Sequence, residues 1–244
     1  MRIAVGAGRQ LVGVLLSPVH GLSRTADRPA PAALALVLVT LVACAGALTL
    51  VPVIRAFDRV FAGGNPELVG PLAEMRAGIL RLLVIERLLP PPTACIAALM
   101  LWLAAEPVLS LARERRRALA AIAVLGLAPL LVERLGDLTL AYLLRSAEHT
   151  TPGDAIGLAS RFVTGPGVLW RGAEPAPAWL ETLDARFNLV LLWCVALWTA
   201  GLRVLDARPF AAWHLMLPLT CLAGAGVVTW VVGPTVLGMI LAVP

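Results

Sequence analysis

The chain has 244 residues, 59% of them hydrophobic and only 14% charged, with a mean hydropathy of +0.87. That balance lies far from a water-soluble globular domain and makes lipid the natural solvent. The formal charge of +5 is carried in short basic runs beside apolar stretches with no broad polar domain around them, which excludes nucleic acid and points to an anionic membrane surface as the partner.

All of the basic residues are arginine, which with the abundance of Ala, Gly, Pro and Leu suggests the codon bias of a bacterial source. Cys44, Cys194 and Cys221 lie inside apolar stretches and Cys95 near the start of another. With neither CxxC spacing nor a disulfide framework, they read as small packing residues.

Residues 1–31 form a short N-terminal segment ahead of a membrane domain covering 32–244. Arg2 and Arg9 are followed by Ser17-Pro18 and a polar stretch, without the long apolar core and cleavage site of a signal peptide. The first span is therefore expected to do the targeting. Within residues 3–16, Leu11, Val14 and Leu15 suit a surface helix dipping into the interface beneath Arg2 and Arg9.

A span needs about 20 apolar residues. The sequence predicts five, over 32–54, 93–112, 118–144, 187–205 and 211–232, so the expected fold is an all-α polytopic bundle with interfacial amphipathic helices. Residues 71–89 are a second interfacial candidate, with Leu72, Met75, Ile79, Leu82 and Leu83 at helical spacing and Pro90-Pro91-Pro92 as the stop. The segment 145–186 is rich in Pro, Gly and charge, with Trp170 and Trp179 placed to anchor it at headgroup level.

Charges on alternate connections give the orientation. Segments 1–31, 113–117 and 203–208 carry +3, +3 and +1, whereas 55–92 and 133–186 carry +1 and −2. By the positive-inside rule the N-terminus is cytoplasmic and the C-terminus outside, which for a bacterial protein means the inner membrane.

Leu15-Leu16-Ser17-Pro18, then Gly21-Leu22, then Arg28-Pro29 directly before the first span resemble the N-terminal signature of the bacterial branch of the Yip-domain family, the Yip-one-like membrane proteins. Pro129 in the third span, and Phe187-Asn188-Leu189-Val190-Leu191-Leu192-Trp193 followed by Gly201, are similar to that family's later helices. The resemblance implies a five-helix membrane domain with a cytoplasmic N-terminus. Eukaryotic members are implicated in vesicle traffic and in binding Rab-type GTPases through a cytoplasmic N-terminal region, of which this chain has only residues 1–31.

Few residues suggest chemistry. The Gly6-Ala7-Gly8 run with Gly13 has the wrong spacing for a dinucleotide loop, and no P-loop, GxSxG or HExxH pattern is present. No cofactor is expected. His20, His149 and His214 stand apart, so metal binding is not expected either; His214, beside Trp213, is placed at the inner interface.

Glu106-Pro107 is the sharpest intramembrane feature, because a carboxylate in a span is costly unless paired, protonated or near water, and Pro107 leaves the Leu103 carbonyl without its helical donor. The functional reading is a proton or ion site. The structural reading is that Glu106, about 10 Å of helix from Arg113, pairs with the basic run, and it is preferred.

Glu133, Arg134 and Asp137 require the far half of the third span to be shielded by protein or to reach the interface, and are expected to be a solvated or loop-bound cluster rather than an acid–base pair. Arg113, Arg115, Arg116 and Arg117 are candidates for holding anionic headgroups as well as fixing topology. Small residues such as Ala43, Ala47, Gly224 and Gly226 allow close helix packing.

The leading expectation is a non-enzymatic membrane protein that assembles with or organises other membrane subunits. The alternative is a small-solute or ion permease using Glu106. A lipid-acting enzyme built from Glu148, His149, Asp154 or Arg161 ranks third, because no nucleophile, base and orienting group can be named together.

Overall fold

Pro129 interrupts the third apolar stretch, and the accommodation of that interruption organises the bundle. In the computed structural model, which describes residues 2–62, 84, 88, 90–109, 113–145, 189–206 and 211–241, the helices are α1 (Arg2–Leu16), α2 (Pro18–Asp27), α3 (Pro31–Ala62), α4 (Pro92–Leu109), α5 (Arg113–Leu125), α6 (Pro129–Arg145), α7 (Leu189–Leu205) and α8 (Trp213–Leu241). The described residues are all helical apart from short connections, so the all-α bundle is as expected from the sequence.

Pro129 has no N–H for the Leu125 carbonyl. The chain tightens instead: Leu127 N–H donates to Val124 O and Ala128 N–H to Leu125 O, at 3.0 and 2.9 Å. These shorter-range bonds leave the Ala123 carbonyl without its usual donor. Trp198 of α7, fully buried, supplies one, with Nε1 3.0 Å from Ala123 O. The indole fits because residue 126 is glycine; a Cβ there would overlap the Trp198 ring. Lower down the same pair of helices, Gly201 lets α7 approach Ile122 of α5 just as closely.

Helices α5 and α6 together form one apolar element, Arg115–Thr139, of 25 residues with 72% of its apolar window buried. It is the centre of the bundle. α3 packs against both halves, α7 against both, α4 against α5, and α8 on the outside against α4 and α7. The matching windows in α3, α4 and α8 are 39, 28 and 22% buried, a gradient that separates a core helix from a peripheral ring. Thr93 meets Thr229, with hydroxyls 3.1 Å apart, and Met100 meets Gly224, so α4 and α8 run antiparallel.

Pro31–Val51, Pro92–Leu109, Arg115–Thr139 and Trp213–Val232 are long and apolar enough to cross a membrane, with mean hydropathies of 2.6, 1.6, 1.9 and 2.0. α7 is apolar but has 17 residues, at the short end for a hydrocarbon core about 30 Å thick. Among the described residues four helices are thus span-length, with α7 a shorter apolar helix beside them, and the architecture is compatible with an integral membrane protein. The proposed interfacial helix at 71–89 and the tryptophan-bearing segment 145–186 lie outside the described residues.

The N-terminal segment departs from expectation in detail. α1 is a helix, but Leu11 and Val14 are buried against the protein rather than turned to lipid, and its exposed apolar side chains are Val5, Val12 and Leu16. The reason is α2. It folds back so tightly that a Cβ on Gly21 would come 2.6 Å from Val14 N and 2.7 Å from Gly13 C, and α1 then rests on α2 and α3 while α2 rests on α5 and α7. Gln10 Nε2 donates to Arg28 O at 3.2 Å across this fold-back. Gly21→Val is expected to pry α1 from the bundle, by overpacking against backbone that has no rotamer to yield. Faster hydrogen exchange across α1, with exchange in α5 unchanged, is the measurement that checks it.

Small-residue packing is also redistributed. Ala47 is exposed, whereas Ala45 and Gly46 are buried. Gly224 faces the flexible end of Met100, and nothing approaches Gly226. The close contacts are made by Gly21, Gly126 and Gly201.

Candidate functional site

The arginine run opens α5, an unfavourable place for cations because helix N-termini carry partial positive charge. Their partners come from the ends of neighbouring helices. Arg115 Nη1 donates to Leu205 O at 3.2 Å, the last carbonyl of α7, where both the unsatisfied acceptor and the negative dipole end favour a cation. Arg116 Nε lies 3.0 Å from Glu106 Oε1 of α4. Arg117 is exposed, and the side chain of Arg113 lies outside the described residues.

Glu106 is therefore placed with the basic run, the geometry of the structural reading. Pro107 sits inside α4, which continues through it to Leu109. The pair is half open to solvent, with 54% of the Arg116 and 28% of the Glu106 side chain exposed, so its Coulomb energy is largely screened. Glu106→Gln is expected to shift stability by less than about 1 kcal/mol, measured as a melting temperature in detergent within a few degrees of the parent.

At the same end of the bundle, Asp206 and His214 close the junction of α7 and α8. His214 is fully buried, with Nε2 3.2 Å from Asp206 Oδ2, and its ring stacks on Trp213 at 4.0 Å between centroids. Ala211 N–H and Ala211 O both lie within hydrogen-bond distance of Nδ1, at 3.1 and 3.0 Å, so the backbone holds the ring with Nε2 towards the carboxylate. His214, expected at the inner interface, is thus covered by protein and faces an acid. Asp206 was not singled out from sequence, although it stands at the end of a span with the histidine at the start of the next.

Of two cavities in the bundle, the first adjoins the arginine run. It measures about 600 Å³, lies between α2, α5 and α7 and is lined by Ser23, Asp27, Pro29, Arg115, Arg117 and Leu205 among others. Another of about 310 Å³, between α3, α4 and α5, has an almost wholly apolar wall that includes Leu38, Val42, Leu99 and Trp102. Nothing in the spacing of Ser23, Asp27 and Arg117 marks them as neighbours; the fold-back of α2 onto α5 brings them together.

The other polar group overturns its sequence expectation. Glu133, Arg134 and Asp137 are 4, 1 and 3% exposed, not solvated. α6 is held between α3 and α7, so protein covers the far half of this span. Arg134 Nη1 donates to Asp137 Oδ2 at 3.4 Å, and Glu133 lies four residues from Asp137 on the same helix face. Such a group matches ions that lock helices together as well as ions that react.

Among the described residues no three His, Cys, Asp or Glu side chains are grouped to hold a metal ion. Glu148, His149, Asp154 and Arg161 lie outside the described residues. No protein-family profile matches the chain, and no curated protein or solved structure is similar to it.

Proposed function

We propose that this chain is a non-enzymatic integral membrane protein that assembles with, or organises, other membrane components, its N-terminus and arginine run on the cytoplasmic side of a bacterial inner membrane. Five crossings, with α7 the shortest, and membership of the Yip-domain family belong to the same proposal; the latter rests on the short motifs from Leu15 to Pro18 and around Trp193.

The observation that carries the assembly role is α8. It is a span-length helix with 22% of its apolar window buried, and Val227, Trp230 and Val231 form an uncovered face at helical spacing, 60–62% exposed. Several of the described charges, by contrast, are engaged near helix ends and inside the bundle: Glu106 with Arg116, Arg115 with Leu205, Asp206 with His214, Arg134 with Asp137. Packing surface is what the molecule has to offer.

Purification from native membranes in mild detergent tests this. A stoichiometric complex that is lost with Val227→Phe plus Val231→Phe supports assembly. Solute flux by the isolated protein in liposomes, abolished by Glu106→Gln, would overturn it in favour of a permease.

A further inference from the structure

We propose that the cavity between α2, α5 and α7 binds a phosphoethanolamine group, the headgroup of an aminophospholipid. Four observations converge on it. Arg115 and Arg117 both line the cavity, and so does Asp27. Neither Arg117 nor Asp27 has an ion-pair or hydrogen-bond partner among the described residues, although they face one space with opposite charge. Arg115 spends one of its five N–H donors on Leu205 O, leaving the others for a phosphate. The cavity also lies where Pro29 precedes α3, Ala118 enters the apolar part of α5 and Leu205 ends α7, so in a bilayer it opens at headgroup depth.

Separated charges of both signs select the ligand. A phosphate between two guanidiniums satisfies the cationic wall through charge-assisted hydrogen bonds. A purely anionic headgroup would still meet the Asp27 carboxylate. An ammonium two methylenes from the phosphate neutralises it instead, and the apolar part of the lining, Ala26, Pro29 and Val204, suits the glycerol and upper chain. The site requires the helices to cross a bilayer but needs no protein partner, so lipid binding and complex formation fail independently.

The test is binding of short-chain phosphatidylethanolamine, short-chain phosphatidylglycerol and water-soluble phosphoethanolamine to the full-length protein in detergent. Phosphatidylethanolamine is expected to bind more tightly than phosphatidylglycerol, the reverse of what general attraction to a basic surface would give. Arg117→Gln, at an exposed position, should weaken phosphatidylethanolamine about fivefold, as removal of one near-surface cation does. Asp27→Asn should abolish the preference between the two lipids. Comparable, Arg117-dependent affinity for soluble phosphoethanolamine would support the same chemistry with a soluble phosphate ester as the source; much weaker affinity assigns it to lipid. Preference for phosphatidylglycerol, or phosphatidylethanolamine binding unmoved by Arg117→Gln, would overturn the proposal.

Discussion

Replacing Gly126 with valine should destabilise the bundle by about 3 kcal/mol or more, the sum of an overpacked core contact and a buried hydrogen bond broken with it. The Trp198 ring occupies the space where the new side chain would stand, and it cannot move away without leaving the Ala123 carbonyl that it serves at 3.0 Å. That carbonyl has little alternative, because Leu127 N–H already donates to Val124 O. A large fall in melting temperature, with loss of monodisperse protein in detergent, is the expected readout. Trp198→Ala is itself costly, as truncation of a buried tryptophan is. In that background, however, Gly126→Val should cost far less than in the parent, and additive effects of the two changes would show that the indole and the glycine do not share one space.

Arg134→Leu should cost about 3–5 kcal/mol, because it breaks a buried ion pair by removing one partner and leaving the Asp137 carboxylate in the interior. Glu133 and Asp137 are 4 and 3% exposed, and the buried Asp137 carboxylate would lose the guanidinium that donates to it at 3.4 Å. Removing the acids at the same time should recover much of the loss: Arg134→Leu combined with Glu133→Gln and Asp137→Asn replaces a broken ionic group by a neutral one. Melting temperatures of the single and triple variants check this. A single variant as stable as the parent would mean that this group contributes nothing to holding α6 in place.

These two predictions also mark where sequence reading stopped. Mean hydropathy and uninterrupted apolar length placed the helices near their observed bounds, since a span is a local property with a fixed minimum length. The pairing of Glu106 with the arginine run was foreseen as one alternative, because both stand near one end of adjacent spans. For Glu133, Arg134 and Asp137 the sequence required either shielding by protein or access to the interface, and only the fold decided for shielding. Hydropathy counts charges along the chain and carries no information about which helix will be surrounded by others. Asp27 and Arg117 are 90 positions apart and acquire a common cavity only where α2 packs on α5.

Composition and the spacing of apolar runs by themselves determined that this is an all-helical chain with span-length apolar segments, and where its charges are concentrated. Helix formation and lipid preference are set residue by residue, so they can be read without neighbours. Only the tertiary structure decided that α5 and α6 form the core while α8 lies outside, that Trp198 completes the break at Pro129, and that the polar groups meet in two places. Those outcomes depend on which small residues allow which helices to approach, and a glycine declares that only when its partner is in view.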